Sequence, residues 1–209
     1  MVITGIKKKR GRLLQLEFDS LPSVAVDIRT FEETPYQVGS SLNEKQLDEL
    51  VRLSNQRRSM EKALYLLSFR DYSRRELEQK LLRETDSAAA AAAVDRMEEL
   101  GLINDGEYAK KRAGYLLNQK LYPSRRAVEE LRALGIDRET SVEAVDSFER
   151  DDVSQALALL NKKYYNMGTD NDSLRKVAAS LSRFGFDSDT IRRVINEFKS
   201  TEQDFELDD

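Results

Sequence analysis

Three stretches of this 209-residue chain fall into register when the sequence is slid along itself: SRRELEQKL at Ser73–Leu81, PSRRAVEEL at Pro123–Leu131 and SLRKVAASL at Ser173–Leu181. Their first residues lie fifty positions apart. Each stretch carries apolar residues four apart: Leu77 and Leu81, Ala127 and Leu131, Val177 and Leu181. That spacing puts both on one face of a helix. The register continues through Gly135 and Gly185, with Thr85 at the first copy, and then through Val145 with Ile195 and Phe148 with Phe198. The first copy departs afterwards, with an alanine-rich segment Ser87–Leu100 and a late Gly101. A period of this length is the signature of a repeat architecture.

Helix punctuation agrees with the period. Ser73 with Glu76, Asn43 with Gln46 and Asn104 with Glu107 have capping-box spacing, each inside an apolar staple pair (Tyr72 and Leu77, Leu42 and Leu47, Ile103 and Tyr108). Ser73, Pro123 and Ser173 are expected to open helices. Gly101, Gly135 and Gly185 sit where helices should end, and the apolar residues after them, Leu102, Ile136 and Phe186, should close the last turn. Asp137 and Asp187 then read as N-caps.

Outward from the repeats, residues 1–28 show period-2 alternation instead: Val2, Ile3 and Ile6, then Leu14, Leu16 and Phe18, then Val24, Val26 and Ile28, with turns at Gly11 and at Asp19–Pro22. The predicted fold is mainly α: three tandem three-helix repeats in an elongated, curved array, preceded by a small antiparallel β-hairpin or meander and a helix. The divisions are 1–55 for strands plus helix, 56–103, 104–149 and 150–200 for the repeats, and 201–209 for an acidic tail. Helices this short bury their stripes only against partners. Leu64, Leu67, Leu77, Leu81, Leu116, Leu131, Leu160, Leu181 and Val194 are the expected core.

Composition narrows function by exclusion. There is no cysteine and no histidine, so disulfides, thiolate metal sites and histidine-based catalysis are ruled out. No glycine-rich phosphate loop is present. Asp151 and Asp152 could be imagined holding magnesium, but adjacent residues at a helix start diverge and serve better as caps. The expectation is a non-enzyme without cofactor or metal. No apolar run reaches the ~20 residues a membrane span needs, and the N-terminal charges follow rather than precede the apolar residues. A cytoplasmic, monomeric protein is expected. The net charge is −4, and Glu202, Asp204, Glu206, Asp208 and Asp209 contribute −5 of it, leaving +1 for the rest. A nearly neutral body does not attract nucleic acid over its whole surface, so any such contact must come from local clusters.

Those clusters recur with the repeat. Arg70, Arg74 and Arg75 lie at the first helix-to-helix corner, Lys120, Arg125 and Arg126 at the second, and Arg175 and Lys176 at the third, with Lys162 and Lys163 on the helix before it. Arg75, Arg125 and Arg175 are again fifty apart. Cations near a helix start oppose the helix dipole at a cost of a few tenths of a kcal/mol, so a row of them suggests a binding stripe for phosphates or an acidic protein surface. Lys7, Lys8, Lys9, Arg10 and Arg12 form a further cluster on the hairpin. Among the tyrosines Tyr65, Tyr72, Tyr108, Tyr115, Tyr122, Tyr164 and Tyr165, the one beside Lys120 and Pro123 is the best placed to join a binding surface.

The run ALYLLSFRDYSRRELEQKL at Ala63–Leu81, the run LGLINDGEYA at Leu100–Ala109, and PSRRAVEEL ending in Leu134-Gly135-Ile136 together resemble the RecX family of regulatory proteins. The resemblance covers about 56–200. It departs where the family often has glycine-proline and this chain has Pro123-Ser124. It implies three three-helix repeats and binding to the RecA recombinase filament on single-stranded DNA. It also implies inhibition of RecA's ATPase, strand-exchange and coprotease activities, and so modulation of recombination, DNA repair and the SOS response. The ten cations at the repeat corners are then the expected partner contacts. The alternative is a helix-turn-helix-like DNA-binding module, or weak direct DNA binding beside the RecA contact.

Overall fold

The computed structural model describes residues 1–149, 151–164 and 170–205. The side chains of the acidic stretch 201–209 and those of Tyr164 and Tyr165 lie outside the described residues. The chain forms two compact units, Met1–Asn104 and Asp105–Asp209.

The first unit begins with an antiparallel three-stranded sheet, β1 (Ile3–Lys8), β2 (Leu13–Phe18) and β3 (Val24–Asp27), in the order β1-β2-β3. Ile3 and Ile6 are an odd number of residues apart and would point to opposite faces of a regular strand. A bulge between Ile3 and Gly5 shifts the register, and both side chains reach the same core. The third strand ends one residue before the alternation suggests. The Asp27 carboxylate accepts from the Thr30 backbone N–H at 3.1 Å and starts a short helix, α1 (Ile28–Glu32), that the sequence reading did not anticipate.

Helix α2 (Glu44–Leu67) follows, opened by the expected Asn43–Gln46 capping box. It runs unbroken through 55–56, where the sequence divides strands-plus-helix from the first repeat. At ~1.5 Å per residue its 24 residues span about 36 Å. That length serves two cores. Leu47 and Leu50 pack under the sheet with Ile3, Leu16 and Val26. Ala63, with Met60, Leu66 and Leu67, packs against α3 (Arg74–Leu81) and α4 (Ser87–Glu99) through Leu77, Leu81, Ala93 and Met97. Leu64, expected in the core, is instead 45 % exposed. Ala63 takes the inward position, because a small side chain lets the alanine-rich α4 approach closely.

The second unit holds α5 (Asp105–Asn118), α6 (Ser124–Ala133), α7 (Arg138–Asp146), α8 (Asp152–Tyr164), α9 (Asn171–Phe184) and α10 (Ser188–Phe205). Two cores recur. Ala113, Leu116, Ala127, Leu131 and Val145 join α5 to α7, and Leu160, Val177, Leu181, Phe186 and Val194 join α8 to α10. Gly101, Gly135 and Gly185 all take positive φ, as expected. The residue after each donates back into the helix: Leu102 to Met97, Ile136 to Leu131 and Phe186 to Leu181. Ile136 and Phe186 are buried, but Leu102 is exposed and Ile103 fills the core in its place.

Asp137 and Asp187 cap α7 and α10. In the third copy the fifty-residue period fails at two places. Ser173 does not open α9. Asp170 does, its carboxylate accepting from the Asp172 and Ser173 N–H groups, so the helix starts earlier and Ser173 lies in its first turn. Within α8, Lys163 is exposed although its counterparts Ala63 and Ala113 are fully buried. No helix among the described residues is long and apolar enough to cross a membrane.

Candidate functional site

The cations singled out by the repeat divide into two groups once the corners are seen in three dimensions. One group is held by internal contacts. Arg70 stacks on the Tyr72 ring at 3.6 Å and bonds the Asp71 carbonyl and the Glu76 carboxylate. Arg74 bridges from the start of α3 to Asp95 and Glu98 on α4. The Asp95 hydrogen bond, helped by the Glu98 charge, raises the Arg74 guanidinium above its ordinary range. Arg126 lies 3.8 Å from the Tyr122 ring and donates to the carbonyls of Arg183 and Phe184 at the end of α9. Those carbonyls are the orphan acceptors of a helix C-terminus, where a cation also meets the favourable end of the dipole.

The other group points outward. Arg75 is exposed, with no ion pair to another described residue. Arg125 and Arg175 are exposed and form ion pairs along their own helices, to Glu129 at 3.2 Å and Asp172 at 3.9 Å, and the Arg125 charge also helps to lower the Asp187 carboxyl. Such pairs hold side chains by at most about 1 kcal/mol, so a partner's charge can replace them. Lys176 is exposed on α9. Lys120, Lys162 and Lys163 come together: the turn after α5 and the last turn of α8 border one cleft of about 310 Å³. Tyr122 and Phe184 also line it, meeting edge to face with centroids 6.1 Å apart. On the hairpin, Lys7 pairs with Glu17 and Arg12 with Glu61, while Lys8, Lys9 and Arg10 are exposed. Tyr72 is buried, and Tyr65 and Tyr115 are exposed, each with a basic residue three positions earlier over its ring, Lys62 at 5.7 Å and Arg112 at 5.1 Å. That repeated couple was missed in the sequence, although Lys62 with Arg112 and Tyr65 with Tyr115 carry the same fifty-residue spacing.

The second unit is tied together at this corner by Leu121, which the sequence did not mark, and by Pro123, Asp151 and Asp152, which it marked only as a helix opener and caps. Leu121 takes φ 55°, a left-handed conformation costly for a leucine, and its side chain enters the core of α8–α10. Pro123, at the N-cap position of α6, offers no side-chain acceptor. Asp152, from the start of α8, supplies it, accepting from the Ser124 N–H at 2.9 Å and its hydroxyl at 3.1 Å. Asp151 caps α8 itself, and Ser154 with the local N–H groups draws its carboxyl below the usual range. Both carboxylates are therefore engaged as caps. Among the described residues no group of three or more carboxylates could hold a metal ion.

Comparison with known proteins follows the same lines. The family pattern described as RecX, first three-helix domain, matches residues 60–97. A protein named Regulatory protein RecX from Clostridioides difficile (strain 630) is 29 % identical over 206 residues, covering 93 % of this chain and 94 % of its own length. One of the same name from Stenotrophomonas maltophilia (strain R551-3) is 35 % identical over 136 residues, 64 % of this chain and 83 % of that protein. Two solved structures share the fold. A crystal structure of regulatory protein RecX has a TM-score of 0.61 at 20 % identity, covering 93 % of this chain and 98 % of its own. That of RecX from Lactobacillus salivarius has a TM-score of 0.59 at 23 % identity, covering 70 % and 98 %. With a matched first three-helix domain, a shared fold and sequence identity extending over most of its relatives' length, the chain belongs to the RecX family of regulatory proteins.

Proposed function

We propose that this protein is a non-enzymatic negative regulator of the RecA recombinase, acting by binding the RecA filament on single-stranded DNA. Membership of the RecX family supports it, and so does the repetition of outward-pointing arginines at one position of successive modules, Arg75, Arg125 and Arg175. A polymeric partner presents the same surface again and again. Repeated weak contacts on one chain then add in avidity, because each binding event raises the effective concentration for the next. Lys120, Lys162, Lys163 and Lys176 extend the same outward charge, whereas Arg70, Arg74 and Arg126 act through the frame that holds the corners in shape. Occupying the filament in this way slows its ATP hydrolysis, strand exchange and coprotease activity.

The test is a titration of the protein into RecA on single-stranded DNA with ATP hydrolysis as readout. The expected outcome is inhibition at or below stoichiometric amounts, weakened at least tenfold when Arg75, Arg125 and Arg175 are all changed to glutamate. Hydrolysis unchanged across the whole titration would overturn the reading. Tight, sequence-dependent binding to duplex DNA without RecA would replace it with the helix-turn-helix alternative.

A further inference from the structure

The cleft between the turn after α5 and the end of α8 combines features that together select one kind of ligand. Its rim carries Lys120, Lys162 and Lys163, and no carboxylate of a described residue lines it. Its floor is apolar, with Leu159 and Leu121 almost fully buried and Phe184 beside them. The cleft, at about 310 Å³, lies at the small end of ligand sites and has room for a side chain or two of a partner.

The aromatic rings are not available as stacking platforms. Tyr122 packs on the core of α5–α7 and Phe184 on that of α8–α10. A cation stands over each ring as well: Arg126 over Tyr122 at 3.8 Å and Lys163 over Phe184 at 4.3 Å. Binding of single-stranded nucleic acid draws much of its strength from bases lying on free ring faces. Here the rings orient cations instead. An apolar floor gives a sugar-phosphate backbone nothing to bury against.

The geometry points to this cleft as a docking site for an acidic segment of a partner protein, one in which an aliphatic side chain flanked by carboxylates enters the cleft. The aliphatic group lies against the half-buried Phe184 on the side that Lys163 leaves open, and the flanking carboxylates meet Lys120, Lys162 and Lys163. This deepens the reading of the protein as a protein-binding regulator, but its test needs no recombinase, so the two can fail separately.

The experiment measures fluorescence anisotropy of a short labelled peptide, a leucine flanked by glutamates, titrated with the full chain at low ionic strength. Binding is expected, with at least a tenfold loss for the double variant Lys162→Glu, Lys163→Glu and a smaller loss for Lys162→Gln, Lys163→Gln. Both pairs of substitutions lie on exposed positions, and unchanged thermal melting confirms that the fold survives. Glutamine in place of the glutamates should abolish binding, and glycine in place of the leucine should weaken it. Failure of the glutamate–leucine peptide to bind, or equal binding by the charge-reversed variant, overturns the proposal. So does an oligothymidylate that binds at this cleft and displaces the peptide more strongly than the peptide displaces it, since that would mark a nucleic-acid site.

Discussion

The corner before α3 and the corner before α6 occupy the same place in the repeat, yet they are stabilised in opposite ways. At the first, Ser73 and Glu76 cap the helix from within it, and Arg74 reaches acids on the next helix of the same module. At the second, Pro123 leaves the helix start without its own cap, Asp152 of the following module provides one, and Arg126 caps the end of α9 in return. The first corner is self-sufficient. The second works only while α8 and α9 are folded beside it. Exchange of caps between modules, together with Leu121 in the neighbouring core, explains why α5–α10 form one compact unit rather than two. The general lesson is that modules of similar pattern couple where each lacks a local partner that the other can supply.

That contrast can be broken most sharply at Leu181, which is fully buried in the core of α8–α10. Leu181→Ala should cost roughly 2–5 kcal/mol. Hydrogen exchange should speed up in α6 as well as α9, because the Asp152 and Arg126 contacts go with that core. Protection of α6 retained while α9 exchanges freely would show two independent modules. A smaller difference is expected between matched arginines. Arg126→Met removes charged hydrogen bonds to carbonyls at a half-buried position and should cost about 1–3 kcal/mol in denaturant unfolding. Arg74→Met breaks pairs to exposed acids on α4 and should cost below about 1 kcal/mol. Equal losses would erase the distinction between the two corners.

The smallest effect is spread over the aspartate caps. In the second unit Asp137, Asp151, Asp170 and Asp187 are each held below 3.8, the hydroxyl of Ser or Thr being the first cause for the first three and the Thr190 N–H for Asp187. Asp86 in the first unit is lowered by the Ala89 N–H. A depressed folded value means that the contribution is present above 3.8 and lost as pH falls through the lower folded values. With no histidine in the chain, no side chain of ordinary pKa changes charge between pH 5 and 7. The urea midpoint should stay level there and fall below about pH 4. A midpoint that drifts between pH 5 and 7 would contradict this assignment.

Much of the fold was legible because its signals are local. A capping box is read from residues three apart, as at Asn43–Gln46 and Ser73–Glu76, and a glycine stop from the residues beside it, as at Gly135 and Gly185. Where local signals compete, the reading slipped. Both Asp170 and Ser173 can open a helix, and the earlier carboxylate captured the N–H groups. The candidate site was legible as charges but not as a place. Lys120 and Lys163 lie 43 positions apart, and only the entry of Leu121, from the turn after α5, into the core of α8–α10 brings them to one cleft.

The sequence by itself determined most helix starts and stops and most buried faces, though not the short α1, the start of α9 or the exposure of Leu64, and also that the pattern repeats and that histidine and cysteine chemistry is absent. These depend on residue type and on neighbours within one turn. The tertiary structure alone decided that Arg126 serves α9, that Asp152 caps a helix of another module, that Leu121 bears a strained backbone, and that three lysines share a rim. Each of these joins groups 28 or more residues apart or balances a local cost against a distant core. Such choices follow from the packed arrangement of whole helices, which no single window of residues contains.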